Sequence, residues 1–462
     1  MKRIAIVGGG ISGLAAAFAL EERRRAGESL EFKIYESGPR FGGVLATEQM
    51  DDCLVEAGPD SFLTEKPWAA DLCRRLGIED QLIGSNDSRR KTYILVKGRL
   101  VPMPDGLMFM VPTRIGPTLL TTLFSPATKL RMLREWRLAP HQTNGDESVA
   151  ALVERHYGAE MVERLADPLL SGVYGGEASQ LSVRAVLPRF VEMESKYGSL
   201  GRGMLAARKN INAAQTAPPI FTSLKGGMQQ LSDALVARLP PDDLRANSLV
   251  QAIQRQDRGW VVSAGYGSDQ FDAVIVATPA PAASVALEMA SAELSTELRA
   301  ISYSSSVTVA LGYDKDVRAA LPAGFGFLIP RSEGKRVLAV TFVHNKFPHR
   351  APGDRAVLRC FLGGSRDEQV LQLSADDILG IVREELRQIL GLSAEPRFTR
   401  VYRWRGAMAQ YNVGHLERVQ RIENLLKQLP GLALAGNAYR GIGVPDCVRS
   451  GEVAAQQVLA GE

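Results

Sequence analysis

Cysteine and histidine are scarce in this chain of 462 residues, which contains four cysteines and five histidines. The cysteines are far apart and form no Cys-x-x-Cys pair, so neither a disulfide framework nor a zinc site is indicated. The histidines match no His-Glu-x-x-His motif and no other zinc-ligand spacing. We therefore predict a protein without a metal centre that works in a reducing, cytoplasmic compartment.

The motifs of covalent hydrolysis and an excess of one charge are missing as well. No Gly-x-Ser-x-Gly elbow is present and no cysteine stands in a nucleophile motif, so hydrolysis through a covalent intermediate is not supported. The 55 lysines and arginines stand against 51 aspartates and glutamates, a formal net charge of +4. Because no long basic run occurs either, nucleic acid is not a predicted partner.

A long uninterrupted apolar run is also absent. The most apolar stretch, residues 100–124, is broken by four prolines and carries Asp105 and Arg114, so it cannot form a spanning helix of about 20 apolar residues. Contact of this stretch with the surface of a membrane stays open. The first residues lead directly into an apolar strand and lack the parts of a cleaved signal peptide. We expect a cytoplasmic protein, with peripheral contact to the inner face of the cytoplasmic membrane left open.

Three kinds of secondary-structure pattern follow one another along the chain. Residues 2–36 predict a strand, a glycine-rich turn, a helix from Ile11 to about Arg25 and a second strand, which together open a dinucleotide-binding fold. Residues 86–220 are typical of loops and helices, and strand patterns return after residue 248. We therefore predict an α/β chain of two or three domains with a helical insertion, which fits the length.

The glycine-rich turn carries the strongest motif in the chain. Gly8, Gly10 and Gly13 fit the pattern G-x-G-x-x-G, and Glu36 ends the second strand 23 residues after Gly13. Gly10 lets a pyrophosphate approach the positive end of the helix, and Gly13 lets the helix pack closely on the strand. Glu36 can hold a ribose hydroxyl, which favours an unphosphorylated adenosine ribose.

Further glycine-rich loops favour FAD over NAD. Arg40 precedes the pair Gly42-Gly43, and a second loop of small residues follows at 57–60. Such loops, with a cation beside them, allow a second close approach of backbone to phosphate, which an NAD enzyme has little need of. Near the end of the chain, a predicted strand leads into a glycine-rich loop and a helix to about Leu459. The N-terminus of that helix could stabilise the negative charge of a reduced flavin.

Eight segments then occur in one order along nearly the whole chain. They are Gly8–Gly13, Glu36, Arg40-x-Gly42-Gly43, Gly58 to Pro67, Gly172 to Gly176, Gly226-Gly227-Met228, Gln410 to His415, and Gly436 to Gly443. In this set and order the sequence resembles the FAD-dependent porphyrinogen oxidases of haem biosynthesis, which are protoporphyrinogen oxidase and coproporphyrinogen III oxidase. The first and last segments are shared with the wider flavin amine oxidase superfamily, whereas Gly58 to Pro67 and Gln410 to His415 are more specific.

The resemblance implies a Rossmann-like FAD-binding domain of the glutathione reductase or amine oxidase type, a mixed-sheet substrate domain and a helical insertion. The expected boundaries are 1–85, 221–284 and 405–462 for the discontinuous FAD-binding domain, 86–98, 186–220 and 285–404 for the substrate-binding domain, and 99–185 for the helical insertion, whose association with a membrane is left open.

The resemblance also implies which residues contact FAD. They are Gly8, Gly9, Gly10, Ile11, Ser12, Gly13, Glu36, Ser37, Arg40, Gly42, Gly43, Ala57, Gly58, Pro59, Asp60, Val250, Trp404, Gly441, Ile442, Gly443 and Val444.

Contacts with the tetrapyrrole fall, by the same resemblance, on an apolar clamp of Phe325, Leu328 and Phe361, with Gly175 facing the reacting ring. Judged by residue type alone, an ordinary core is the favoured interpretation of the three apolar residues, and only the resemblance favours the clamp. The eukaryotic branch has an arginine for a substrate propionate in the loop after the Gly-Pro pair, and here no arginine stands at that place. Lys66 is the nearest cation, and both a carboxylate-binding role and an ordinary solvated lysine stay open for it.

The implied chemistry is the loss of hydride from a porphyrinogen methylene bridge to flavin N5. Three such cycles remove six electrons per substrate, and molecular oxygen reoxidises the flavin to give hydrogen peroxide. No side-chain base is assigned, because the gain of conjugation drives the reaction and the protein chiefly has to align substrate and flavin. The choice between coproporphyrinogen III and protoporphyrinogen IX stays open. Ferrochelatase is a family-level expectation as partner, and a homodimer is left open.

Two alternative functions also stay open. A flavin amine oxidase or a carotenoid desaturase shares the first and last segments, and Tyr439 with Trp404 is a loose candidate for the aromatic pair that an amine oxidase places beside its flavin. An inactive binding protein with the FAD fold is the other alternative. The intact glycines of the two N-terminal loops argue against it, because ordered glycine is unfavourable unless something must approach the backbone.

Overall fold

The computed structural model describes residues 1–142, 145–209, 218–257, 259–265 and 267–460. Its strands are β1 (Lys2–Val7), β2 (Leu30–Tyr35), β3 (Thr47–Met50), β4 (Cys53–Glu56), β5 (Phe62–Leu63), β6 (Leu82–Gly84), β7 (Thr92–Val96), β8 (Arg99–Pro102), β9 (Leu107–Met108), β10 (Val111–Pro112), β11 (Phe221–Leu224), β12 (Leu244–Arg245), β13 (Val250–Gln256), β14 (Gly259–Ala264), β15 (Gly267–Phe271), β16 (Ala273–Val276), β17 (Tyr303–Tyr313), β18 (Gly326–Leu328), β19 (Val337–Phe342), β20 (Ala356–Gly363), β21 (Phe398–Ala409) and β22 (Leu432–Leu434).

Its α-helices are α1 (Ile11–Arg25), α2 (Trp68–Leu76), α3 (Ile115–Leu120), α4 (Pro126–Glu135), α5 (Val149–Tyr157), α6 (Ala159–Met161), α7 (Asp167–Tyr174), α8 (Val183–Val186), α9 (Pro188–Tyr197), α10 (Leu200–Lys209), α11 (Gln229–Val236), α12 (Ala280–Ala286), α13 (Ala292–Arg299), α14 (Lys315–Ala320), α15 (Val343–Lys346), α16 (Ala375–Leu390), α17 (His415–Leu426) and α18 (Val444–Ala460).

Five parallel strands form one sheet in the order β12-β2-β1-β16-β22. The residues of β1 alternate between two cores, as successive residues of a strand must. Ile4 and Ile6 pack with helices α1 and α18 on one face. Ala5 and Val7 pack with the small sheet β13-β14-β15 on the other. Both faces of the strand are therefore buried, as expected for a parallel sheet, and the predicted Rossmann-like α/β fold is confirmed.

Helix α1 lies unusually close to its neighbours because glycines stand at the contact points. A Cβ on Gly13 would lie 1.9 Å from the carbonyl oxygen of Gly8 in the preceding turn. A Cβ on Gly451 of α18 would lie 2.1 Å from the carbonyl oxygen of Ser12. Helix α18 from the end of the chain thus closes directly over the first turn of α1.

The second large sheet has seven strands in the order β21-β17-β20-β19-β18-β7-β8. Its pairs are antiparallel except for β18 and β7, which run parallel. One face carries Val309, Leu358 and Cys360, which pack against Ile378 and Val382 of helix α16. The other face is turned away from this core and points towards the loops of the parallel sheet.

Helices from α4 to α10 share a third core with the hairpin β9-β10, among whose buried residues are Met132, Leu152, Leu165 and Phe190. Leu328 of the seven-stranded sheet packs against the edge of this core. Among the described residues, no helix is long and apolar enough to cross a membrane.

Three of the predicted domain boundaries fall inside structural units, and the division into domains stays a prediction. The boundary after 404 divides strand β21, all of which belongs to the seven-stranded sheet. The boundary after 98 divides the hairpin β7-β8 of the same sheet. The boundary after 185 assigns α9 and α10 to the substrate domain, although Phe190 and Leu200 pack into the helical core. The sequence pattern missed β21 and β7 as parts of one sheet because their partners β17 and β18 lie far along the chain and leave no local signal.

Candidate active site

The glycine-rich turn after β1 is joined to the loop that carries Gly42 and Gly43. The N–H of Gly42 donates to the carbonyl of Gly9 at 2.8 Å, and Gly10 and Gly42 form an isolated parallel bridge. A Cβ on Gly43 would lie 3.2 Å from the Cα of Gly10. The structure thus brings together the two loops that the sequence predicted separately.

The space in front of Gly10 fits a pyrophosphate. A Cβ built on Gly10 meets no described heavy atom within 4 Å, whereas Gly8 and Gly13 are blocked by backbone. Helix α1 begins directly after Gly10 with no side-chain cap and no acidic residue in its first turn among the described residues. Its first backbone N–H groups therefore face an open cradle, and such a helix end favours an anion.

Glu36 lies at the end of β2 and organises the backbone around the cradle. Its Oε2 accepts the N–H of Gly9 at 2.8 Å, and its Oε1 accepts the N–H of Gly38 at 2.7 Å. Oε1 also accepts the hydroxyl of Ser37 at 3.3 Å, whereas Oε2 retains a further lone pair, which a ribose hydroxyl can use. Val250 follows on β13, shortly after Ser248, whose N–H donates to the carbonyl of Glu36.

Arg40 has a role that the sequence did not predict. Its Nη1 donates to the carbonyls of Phe41 at 2.9 Å and Leu45 at 2.8 Å, and its Nη2 donates to that of Gly43 at 2.6 Å. The guanidinium therefore stabilises the observed conformation of the Gly42-Gly43 loop. Direct contact between Arg40 and a cofactor stays a prediction.

The loop at 57–60 is held from three directions. A Cβ on Gly58 would lie 2.0 Å from the carbonyl oxygen of Val44. The indole N–H of Trp404 donates to the carbonyl of Ala57 at 2.9 Å. Nη2 of Arg359 donates to the carbonyl of Gly58 at 2.6 Å. Trp404 thus lies beside this loop, although it is 347 residues from Ala57 along the chain.

The loop at 441–444 is positioned by Tyr411 and Asp446. The N–H of Gly441 donates to the Tyr411 hydroxyl at 2.7 Å, and that hydroxyl donates to the carbonyl of Asn437 at 2.8 Å. Oδ2 of Asp446, in the first turn of α18, accepts the N–H of Gly443 at 3.2 Å. The loop is therefore fixed directly before the N-terminus of α18.

Lys66 forms an ion pair with Asp446 in this same turn. Its Nζ lies 2.8 Å from Oδ1 and 2.6 Å from Oδ2 of Asp446. The Lys66 side chain is 34% exposed and that of Asp446 is 11% exposed. Lys66 is consequently not an ordinary solvated lysine, because its ammonium joins the loop after Gly58 to the start of α18.

The segment from Gln410 to His415 forms hydrogen bonds to several separate parts of the structure. Its Nε2 donates to the carbonyl of Tyr174 at 2.6 Å and to Oγ of Ser304 at 2.9 Å. The ring of Tyr411 stacks on His415 at 4.0 Å between centroids, and Nε2 of His415 donates to the carbonyl of Tyr439 at 2.8 Å. One short segment thus joins the helical region, the seven-stranded sheet and the C-terminal loop, which its residue types alone do not reveal.

Two of the predicted clamp residues share the free face of the seven-stranded sheet. Phe361 lies opposite Thr308 and Ala339, and Leu328 lies opposite that same Ala339. Directly paired residues point to the same face of a sheet. The neighbours of Phe361 along β20, Cys360 and Leu362, point instead into the core under α16.

Trp404 belongs to this free face as well. It lies opposite Ser306 on β17, two residues along the strand from Thr308, and residues two apart point the same way. Since the Trp404 indole is bonded to the loop at 57–60, the face that carries Phe361 and Leu328 is turned towards the cradle. The structure therefore brings the predicted cofactor loops and part of the predicted clamp to opposite sides of one site.

Gly175 and Phe325 flank this face. Gly175 follows α7 with a φ of 60°, and a Cβ there would lie 2.7 Å from Oγ of Ser304 and 2.9 Å from Sδ of Met408. Its carbonyl accepts the N–H of Ser365 just beyond β20. Phe325 is buried directly before β18, and its backbone N–H donates to the carbonyl of Lys91 at 2.8 Å.

Four buried titratable groups around the site, Tyr174, Tyr411, Tyr439 and His415, are neutral at pH 7. Burial raises the pKa of Tyr174 to about 12 and raises those of Tyr411 and Tyr439 further. Burial likewise lowers the pKa of His415 below its usual value. None of these four groups is poised to exchange a proton near neutrality, which suits a site that binds and aligns reactants and does not need a side-chain base.

Comparisons with known proteins agree with this geometry. The sequence profile of the family described as flavin containing amine oxidoreductase matches residues 11–459. The coproporphyrinogen III oxidase of Bacillus subtilis (strain 168) is 34% identical over 470 residues, which cover 99% of this chain and 98% of that protein. Protoporphyrinogen oxidase 2 of Arabidopsis thaliana is 28% identical over 491 residues, which cover 99% and 94% of the two chains. A crystal structure from Exiguobacterium sp. 255-15, described as a protoporphyrinogen oxidase, has a TM-score of 0.89 at 32% identity and covers 100% of this chain and 99% of its own.

Gly10→Val is expected to weaken FAD binding and to leave the fold intact. Gly10 has φ −72° and ψ −179°, an extended backbone that valine adopts without strain. The added methyl groups would enter the open cradle where a pyrophosphate must approach the backbone. Flavin absorbance after purification and reconstitution measures binding, and we expect affinity to fall more than about tenfold, or ~1.4 kcal/mol.

Gly380→Val is the matched control for this variant, since Gly380 is exposed on α16 and a Cβ there also meets no described atom within 4 Å. The control should stay yellow, and circular dichroism should report the same helix content for both variants. A Gly10→Val protein that keeps its full flavin content would contradict the assignment of the cradle.

Proposed function

The chain belongs to the flavin containing amine oxidoreductase family and, within it, to the porphyrinogen oxidases, and from this premise we propose that it oxidises coproporphyrinogen III to coproporphyrin III with bound FAD in haem biosynthesis. The choice of substrate is supported by the 34% identity, over 99% of this chain, with a coproporphyrinogen III oxidase. The role of FAD is supported by the open cradle in front of α1. Protoporphyrinogen oxidase 2 of Arabidopsis thaliana is more distant, at 28% identity, whereas the structure from Exiguobacterium sp. 255-15, described as a protoporphyrinogen oxidase, is 32% identical, so the two substrates have to be compared directly.

Cofactor binding and substrate binding are assigned to two different surfaces of the chain. The first turn of α1 and the loops at 42–43, 57–60 and 441–444 hold the cofactor, and Glu36 holds its ribose. The free face of the seven-stranded sheet, with Leu328 and Phe361, holds the apolar tetrapyrrole, with Gly175 at its edge. Bound FAD supplies the electron acceptor. Since the protein chiefly aligns the two rings, and the tyrosines and His415 around them are not poised to exchange a proton near neutrality, no catalytic base is assigned.

The overall balance of the reaction requires three turnovers. A porphyrinogen differs from its porphyrin by six hydrogen atoms, and each turnover removes two of them. Molecular oxygen accepts both electrons and both protons of each turnover and leaves as hydrogen peroxide. Three oxygen molecules are therefore consumed, and three molecules of hydrogen peroxide are formed, for each porphyrin produced.

Anaerobic mixing of the purified, FAD-loaded protein with coproporphyrinogen III and, separately, with protoporphyrinogen IX tests the proposal. We expect rapid bleaching of the flavin by coproporphyrinogen III, followed by porphyrin fluorescence and hydrogen peroxide when air is admitted. Bleaching should be at least about tenfold slower with protoporphyrinogen IX, a difference of ~1.4 kcal/mol in activation free energy. Equal or faster bleaching by protoporphyrinogen IX would contradict the choice of substrate, and bleaching by neither would contradict the function.

Lys66 is proposed to bind a carboxylate of the substrate. Coproporphyrinogen III carries four propionates, and Lys66 stands at the edge of the site with its side chain 34% exposed. In the present structure Asp446 holds its ammonium group. A propionate would therefore share or replace this partner on binding.

Lys66→Ala is expected to raise KM for coproporphyrinogen III about tenfold, or ~1.4 kcal/mol, with a smaller effect on kcat, because a charge-assisted hydrogen bond is lost. Asp446→Asn should have the opposite effect on KM, since it frees the ammonium group for the substrate. Steady-state kinetics of both variants would measure this. If both variants weaken FAD binding and leave KM unchanged, Lys66 only fixes the start of α18.

The amine oxidase alternative loses support from the geometry. Tyr439 is buried in the core on the second face of the parallel sheet, among residues such as Val274 and Val276. Trp404 lies on the free face of the other sheet. The two residues thus occupy different surroundings, which does not favour the facing aromatic pair of an amine oxidase.

Peripheral contact with an anionic membrane is proposed for the region from β9 to α4. Large apolar side chains are exposed there, namely Met108, Phe109, Ile115, Leu119, Leu120, Leu130 and Leu133, with Leu120 86% exposed. Arg131, Arg134 and Arg137 are exposed beside them. Apolar anchors next to basic residues are typical of surfaces that bind anionic lipids.

Leu120→Asp is expected to reduce sedimentation with vesicles of phosphatidylglycerol and phosphatidylcholine, because it places a negative charge where an apolar anchor would enter the lipid. Leu249→Asp, at a position 59% exposed elsewhere on the chain, should bind as the wild type does. Equal sedimentation of wild type and Leu120→Asp, or equal binding to purely zwitterionic vesicles, would contradict the proposal. The association with ferrochelatase and the homodimer stay predictions.

A further inference from the structure

Five buried charged side chains lie between the loop after β4 and the seven-stranded sheet. We refer to Glu56, Asp60, Lys346, Arg350 and Arg359 as the buried charge cluster. The exposed fraction of the side chain is 1% for Glu56 and Arg350, 2% for Arg359, 11% for Lys346 and 16% for Asp60. Burial of this many charges is expensive unless they are paired, and the pairing here is incomplete.

The members of the cluster contact one another across the interface. Nη2 of Arg350 lies 2.8 Å from Oε1 of Glu56. Nζ of Lys346 lies 3.0 Å from both carboxylate oxygens of Asp60. Nη1 of Arg359 lies 3.6 Å from Oδ2 of Asp60. Glu56 ends β4 and Asp60 lies in the loop after it, whereas all three cations belong to β20 and the segment before it.

Three cations therefore face two carboxylates, which leaves the cluster with a net positive charge. Nε and Nη1 of Arg350 and Nε of Arg359 are buried without a hydrogen-bond acceptor in the part of the chain that the structure describes. Burial raises the pKa of Glu56 and lowers that of Lys346. A proton passed from Lys346 to Glu56 would leave the total charge unchanged, so the excess persists in either arrangement.

Arg359 connects this excess charge to the cofactor cradle. It donates to the carbonyl of Gly58 at 2.6 Å, Gly58 lies directly against the carbonyl of Val44, and Gly43 lies against Gly10. Its guanidinium also lies 5.1 Å from the ring centroid of Phe361, the proposed substrate contact. The cation is thus placed between the cofactor loops and the substrate face, in a region where a low dielectric extends the range of charge.

We propose that the buried charge cluster, through Arg359 above all, raises the reduction potential of the bound flavin. This inference rests on the proposed function, because it requires FAD in the cradle. An uncompensated positive charge favours the reduced, anionic flavin over the oxidised, neutral one, and charge beside the ring is a known means of tuning a flavin. A purely structural cluster has less reason for an excess of cations, since apolar residues of similar volume commonly stabilise an interface as well or better.

The test is the midpoint potential of FAD-loaded protein, measured by equilibration with a reference dye. Arg359→Met removes a positive charge and should shift the potential negative by about 30 mV or more, which is tenfold in the equilibrium constant of a two-electron couple. Asp60→Asn removes a negative charge and should shift the potential positive. Arg359→Lys keeps the charge and should restore most of the wild-type potential.

Opposite shifts for Arg359→Met and Asp60→Asn, with rescue by lysine, would support the proposal, because loosening of the interface would move both variants in one direction. Shifts of the same sign, or none, would overturn it. If Arg359→Met fails to fold, Lys346→Met removes a charge from the same cluster and is expected to shift the potential negative as well. A wild-type protein that cannot be loaded with FAD would instead overturn the proposed function, and the two failures are thereby distinguished.

Discussion

The close approach of backbone to backbone around Gly10 is the constraint on which the rest of the site depends. Gly43 lies against Gly10, and Gly58 lies against Val44, with no room for a Cβ at Gly58. Because no side chain separates these loops, the first turn of α1 is left uncapped and faces an open cradle. Everything that surrounds the cradle, including the bonds from Arg40, Arg359 and Trp404 to loop carbonyls, keeps these backbones in place.

The seven-stranded sheet supplies the second half of the site because one of its faces forms a hydrophobic core and the other face is turned towards the cofactor loops. One face is apolar and packs against α16, and this packing stabilises the strands. The opposite face can therefore carry a mixture that would make a poor core, namely Phe361, Leu328, Thr308 and Trp404. Strand alternation puts these residues in register with one another, so the position of one fixes the positions of the rest.

Local patterns could be predicted from the sequence, and long-range partners could not. The sequence predicts helix α1 from Ile11 to about Arg25, and the structure has these bounds. This prediction succeeds because the glycine-rich turn and the helical periodicity are patterns of neighbouring residues. The pairing of Lys66 with Asp446, 380 residues apart, has no such local signal. The edge of the seven-stranded sheet was missed for the same reason, since the hairpin β7-β8 joins the sheet through the pairing of β7 with β18, far along the chain. Arg359 did leave a signal, as a lone charge inside the otherwise apolar strand β20.

That lone charge is the feature that links stability to chemistry in this fold. A strand with Leu358 and Cys360 on one face would gain more from an apolar residue at 359 than from a buried guanidinium that lacks one acceptor. The guanidinium instead contacts Asp60 and donates to the carbonyl of Gly58, so its charge lies next to the loop beside the cradle. An interface that needed only cohesion could have balanced its charges or excluded them. The excess of cations is better understood as a fixed electrostatic field, built where the acceptor of the electrons must carry negative charge.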